Sequence, residues 1–116
     1  MALNDAGLVL AANAVDTGIG FMQLHSSATG PTWATAAVGS RVAVDGTVDG
    51  DGDITWTNIA FTGLTANQAV AAVSYWSAST GGTCYGGSTL GGGSDTAANA
   101  AGAYTVTSVT ETGTAS

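Results

Sequence analysis

The sequence predicts a mainly β protein, an antiparallel β-sandwich or small barrel with one short N-terminal helix. Three observations predict it. From Ile19 onward apolar residues recur every second position, the period of a strand with one buried face. Glycine-rich turns punctuate the chain at Gly46, Gly50-Asp51-Gly52, Gly81-Gly82, Gly86-Gly87 and Gly91-Gly92-Gly93, and short strands between such turns are the pattern of sandwiches and barrels. Only the first residues carry helical spacing.

The helix is expected over residues 3–15. Asn4 or Asp5 can cap it by accepting hydrogen bonds from the unpaired N–H groups of the first turn. Leu3, Ala6, Leu10 and Ala14 recur at steps of three and four and are expected to share its packed face. Gly7 weakens the helix by roughly 1 kcal/mol relative to alanine, and Asp16-Thr17-Gly18 is expected to end it with a left-handed glycine. A helix this short must dock on something to persist.

The strands follow in order. Ile19 to His25 is the first, and Ser26 to Ser40 reads as a long polar connection holding Pro31 and Trp33. Arg41 to Asp45 is a short strand with Val42 and Val44 on one face. Asp53 to Thr62 places Ile54 and Trp56 on one face and Ile59 and Phe61 beyond a bulge near Asn58. Gln68 to Ser77 is a near-continuous apolar run, the expected central strand. Thr83 to Ser88 pairs back on it after the Thr80-Gly81-Gly82 turn. Gly91 to Gly102 is expected to be a flexible loop, and Tyr104 to Thr112 is the last strand. With no internal repeat, the expected organisation is one domain over residues 1–116: helix and cap 1–17, sandwich 18–112, tail 113–116.

Composition limits function. Charged residues make up 8 % of the chain, against about 25 % in an average globular protein. One Lys or Arg against eight Asp and Glu leaves a net charge of −7. Arg41, the lone strong base, cannot neutralise a row of phosphates, so nucleic acid is excluded as a partner, and an anionic membrane surface with it. No run of 18 apolar residues is present to cross a bilayer. The N-terminus lacks a basic region followed by an apolar run, so synthesis in a cytoplasm without a secretory signal is expected. Hydrophobic residues reach 45 %, but aromatics only 7 %. A core rich in alanine gives modest stability, which association is expected to supplement.

The chemical motifs are few. Asp45-Gly-Thr-Val-Asp-Gly-Asp-Gly-Asp53 places Asp49, Asp51 and Asp53 at alternate positions. Calcium takes six to eight hard oxygen ligands, and these three carboxylates are the candidate metal ligands. The EF-hand spacing fails, however, because Ile54 stands where the loop needs glycine and Ala60 where it needs glutamate. An Asp-Gly hairpin turn is the favoured reading and calcium the alternative; no other cofactor is expected. Clustered in one solvated loop, these acids do not suit the separated pair that glycoside hydrolysis needs. His25 is the only histidine, no Gly-x-Ser-x-Gly elbow accompanies it, and its expected role is structural. Cys84, the only cysteine, is expected to act as a small buried hydrophobe. No catalytic residue is expected. Trp56 and Trp76 are assigned to strands and the core. Trp33, in a polar loop, is the candidate interface anchor, with a sugar-stacking platform as its other reading. Leu3 and Leu10 join it as interface candidates.

Several segments carry a family resemblance. Met1-Ala-Leu-Asn-Asp-Ala-Gly7 resembles the opening of small structural proteins encoded near the head and tail genes of tailed phages that infect actinobacteria. In that family a short helix leads to a strand ending in Leu-His, as in Met22-Gln-Leu-His25. An aromatic-Ser-Ala-x-Thr-Gly-Gly-Thr-x-aromatic-Gly signature corresponds to Tyr75-Trp-Ser-Ala-Ser-Thr-Gly-Gly-Thr-Cys-Tyr-Gly86, and a closing Gly-x-Tyr-Thr-Val-Thr strand to Gly102-Ala-Tyr-Thr-Val-Thr107. Between residues 26 and 68 the family usually has an Asn-Glu loop and more charge, where this chain has Pro31-Thr-Trp33 and the Asp-rich segment. The resemblance implies a capsid decoration or minor capsid protein on the outer surface of the virion. Its partners would be the major capsid protein and copies of itself, with a trimer as the expected grouping. A tail-associated role is the second expectation. A carbohydrate-binding module using Trp33 and the acidic loop is the third.

Overall fold

A computed structural model describes residues 3–28, 30, 33–90 and 96–113. Among the described residues seven strands form two antiparallel sheets behind one helix. The larger sheet has the order β2-β1-β5-β6, built from β1 (Phe21–His25), β2 (Ala37–Ala43), β5 (Ala72–Trp76) and β6 (Cys84–Thr89). The smaller has the order β3-β4-β7, built from β3 (Thr47–Val48), β4 (Ile54–Phe61) and β7 (Tyr104–Glu111). This is the antiparallel sandwich that the period-two pattern predicts.

Register decides which side chains fill the space between the sheets. In the larger sheet Met22 opposes Val42 and Tyr75, while Leu24 opposes Val38 and Val73. In the smaller sheet Trp56 opposes Val109, Ile59 opposes Val106 and Phe61 opposes Tyr104. Apart from Val38 and Val42, which lie half-buried against it, these residues form one buried core. Two contacts bind the sheets through it. The Trp56 and Tyr75 rings stack with centroids 5.4 Å apart, and the Tyr75 hydroxyl donates to the Glu111 carboxylate. Burial, with Glu111 beside it, pushes the Tyr75 phenol well above its ordinary range.

Several elements differ from expectation for identifiable reasons. The helix α1 runs Asp5–Gly18, with the Asn4 side chain accepting from the Gly7 N–H and Asp5 favourably placed in the first turn. It continues through Gly18 and ends when the Ile19 N–H bonds to the Val15 carbonyl. The Asp16 carboxylate accepts from the Gly46 N–H at 3.0 Å, tying down the last turn. The packed face is also different. Ala12 is buried and Leu8 half-buried, whereas Leu3, Ala6, Leu10 and Ala14 are exposed. The reason lies across the contact. Gly52 adopts φ +83°, and a Cβ there would lie 2.8 Å from the Leu8 carbonyl carbon. The backbones therefore approach closely at Leu8, which selects the face on which the helix rests.

The strand β2 begins earlier than expected, at Ala37, and sets Val38 against the core beside Val42. Asn58 has φ 52°, and core-facing residues change phase there from 54 and 56 to 59 and 61. The register with β7 is nonetheless the same on both sides, because β7 changes phase opposite it. Two strands that kink together make a bend, where a one-sided bulge was expected. Residues 68–71 precede β5 as a connection, with Val70 buried. Residues 96–102 are tied down, with Ala98 buried and Asn99 Oδ1 accepting from the Ala101 and Ala103 N–H groups. The remainder of the expected flexible loop, 91–95, and of the tail, 114–116, lies outside the described residues.

Candidate interaction surface

The larger sheet is covered on both faces, and its outer face holds a polar cluster. Gln23, His25 and Ser74 point away from the main core, yet all three are buried. Trp33 and Thr35, between β1 and β2, close over His25. Trp33 is only 7 % exposed, its ring centroid is 5.2 Å from that of His25, and it rests on Gly87, where a Cβ would overlap the indole. This corrects the expectation that Trp33 anchors a partner or stacks on a sugar: its ring is consumed within its own chain. Trp33 adopts φ 54° to do so, an uncommon conformation for a bulky residue.

The cluster is a hydrogen-bonded chain with one consistent proton arrangement. The Trp76 Nε1–H donates to Ser74 Oγ at 2.7 Å. The Ser74 hydroxyl lies 2.7 Å from His25 Nε2, and His25 Nδ1 lies 2.9 Å from the Thr35 carbonyl. A carbonyl can only accept, so Nδ1 carries the proton and Nε2 accepts from Ser74. Burial lowers the His25 pKa below its ordinary 6.5, opposed by the Thr35 hydrogen bond. The His-Ser pair has the look of a nucleophile and its base. Both residues, however, are fully buried, and the hydroxyl proton is directed at the ring under the Trp33 roof. The arrangement holds strands together.

The acidic loop closes the β3–β4 hairpin. Asp49 Oδ1 accepts from the Asp51 and Asp53 N–H groups at 2.9 and 3.0 Å, and Asp53 Oδ1 accepts from the Gly113 N–H at 3.0 Å. Asp49 and Asp53 thus serve the backbone of the turn, and Asp51 is exposed at its tip. Among the described residues, no three His, Cys, Asp or Glu side chains are arranged to hold a metal ion. Cys84 is half-buried at the start of β6, not fully buried as expected, with its thiol toward the Gly86 carbonyl.

The remaining feature is apolar and exposed. Among the described residues the exposed large hydrophobic side chains are Leu3, Leu10, Val15 and Tyr85. Leu10 and Val15 belong to α1, Leu3 precedes its N-cap, and the Tyr85 ring lies beside it, 3.7 Å from where a Cβ on Gly18 would stand. Scattered apolar residues are ordinary on a surface; a concentration on one element is not. A groove of about 330 Å³ runs between Ala14, Val15, Gly18 and Tyr85. Another of about 230 Å³ separates Leu3, Leu8 and Ala11 from Ile54 and Thr112. The structure thus leaves both Leu3 and Leu10 exposed, Leu3 beside the groove that Leu8 and Ala11 line and Leu10 outside it, and buries Trp33 elsewhere. Val15 and Tyr85 were missed by sequence reasoning, because the helix is apolar nearly all round and Tyr85 sits among turn glycines.

No family model matches the chain, and neither a curated protein nor a solved structure matches it.

Proposed function

We propose that this chain is a non-catalytic structural protein of a tailed-phage virion, a capsid decoration or minor capsid protein that binds the outer shell. The observation that carries the proposal is the concentration of exposed large apolar side chains on and beside α1. A helix resting on its sheet by Leu8 and Ala12 presents Leu10 outward and leaves Val15 and the preceding Leu3 exposed at its margin, an arrangement suited to a groove on a partner. The occupant proposed for this face is the major capsid protein, with copies grouped around a symmetry axis of the shell. A flat-faced small domain can supply the roughly 800 Å² per partner of a specific contact. The phage-like segments at 1–7, 22–25, 75–86 and 102–107 support the same reading. So does the −7 net charge, which keeps particles dispersed.

The test is to quantify the chain in purified virions and to locate it by cryo-electron microscopy. Many copies on the head with α1 against the shell are expected, and Leu10→Asp should lower head occupancy at least about tenfold. Few copies confined to the tail would replace this reading with a tail-associated role. Absence from the virion would overturn both.

A further inference from the structure

We propose that the cleft around Arg41 is a binding site for a carboxylate group. The chain has eight acidic residues and a single strong base, yet among the described residues no carboxylate pairs with Arg41. Its guanidinium is held in place by other means. Nη1 donates to the Ala78 and Gly81 carbonyls, each at 2.7 Å, and the guanidinium carbon lies 3.8 Å from the centre of the Trp76 ring. Stacking fixes the plane of the fork, and the two carbonyls fix its rotation within that plane.

Both Nη1 hydrogens are therefore used. The opposite edge, formed by Nε–H and Nη2–H, has no acceptor among the described residues. That edge matches the two oxygens of a carboxylate in parallel hydrogen bonds. Arg41 lines an open cleft of about 410 Å³ with Ser40, Ser79, Thr80 and Gln23, three of which bear hydroxyls. Because the fork is already oriented, little side-chain entropy remains to be lost on binding.

The charge of the ligand follows from the rest of the molecule. The chain's net charge of −7 repels every anion at range, and a phosphate dianion more strongly than a carboxylate monoanion. A carboxylate is the anion that fits both the fork and this field. It can be carried by a free organic acid or by an acidic side chain of a second copy.

As the only arginine, Arg41 gives an Nε–H nuclear magnetic resonance signal that needs no assignment. Dilute protein is titrated with sodium acetate and sodium glucuronate, with sodium chloride at matched ionic strength as control. A saturable shift of that signal with the carboxylates and none with chloride is expected. Arg41→Lys keeps the charge and removes the fork, and should weaken acetate binding about tenfold, read from the Ser79 and Thr80 amides. A second arm raises protein concentration without added acid. A shift there that acetate reverses identifies a second copy as the source, and a response to added acid alone identifies a free acid. No carboxylate response in either arm overturns the proposal, as does an equal response to chloride or undiminished binding by Arg41→Lys.

Discussion

Single residues decide how the outer face of the larger sheet is closed. His25 is neutral in the fold because burial disfavours its charged form, so the unfolded chain takes up a proton at a higher pH than the folded one. The contribution of His25 is therefore complete above pH 6.5 and declines as pH falls below it. Denaturant midpoints are expected to be level from pH 8 to 6.5 and to fall between 6.5 and 5, a window above the ordinary carboxylate range. A flat profile there would remove His25 from the account. Gly87 is the matching steric constraint. A Cβ on it would overlap the Trp33 indole and stand 2.6 Å from the Val73 carbonyl oxygen. Gly87→Ala should cost about 1–3 kcal/mol in urea unfolding, as overpacked sites do.

At the scale of elements, how well the sequence could be read depended on whether a local signal set the outcome. The strands β4 and β7 lie within the segments their alternation marks, since a one-residue slip would turn every side chain to the wrong face. The helix was legible in place but not in orientation, because Leu3-Leu10 and Leu8-Ala12 are both acceptable apolar stripes. The choice rests on Gly52, more than thirty residues away. Trp33 was misread for the same kind of reason: a tryptophan among polar residues looks exposed until Gly87 provides a floor for it. Helical spacing marked Leu3 and Leu10 for the packed face, yet both are exposed, and Arg41 carried no local sign of its cleft. Two substitutions test the element-level account. Leu10 is 74 % exposed, so Leu10→Ser should leave the unfolding midpoint within about 0.5 kcal/mol while weakening attachment to heads in a reconstitution assay. Asn58 holds the bend in β4 at φ 52°. Asn58→Gly should be close to neutral, and Asn58→Val should cost about 1–2 kcal/mol in denaturant unfolding.

Over the whole molecule the two sheets are finished differently. The outer face of the smaller sheet carries Thr55, Thr57, Thr105, Ser108 and Thr110, with the Thr55 and Thr110 hydroxyls 3.2 Å apart. The outer face of the larger sheet is roofed instead. The sandwich therefore has a second buried layer, built of hydrogen bonds and one indole, outside its main apolar core.

The three tryptophans divide among these regions. Trp33 lies in the roof against His25, Trp56 in the apolar core against Tyr75, and Trp76 under the Arg41 guanidinium. The protein thus carries its own set of optical reporters, one to each compartment. Protonated imidazole quenches a neighbouring indole, so acidification should dim the roof fluorophore before the interior one shifts to the red. Emission spectra of the three single Trp→Phe variants, recorded down a pH series, would show whether the roof lifts ahead of the rest.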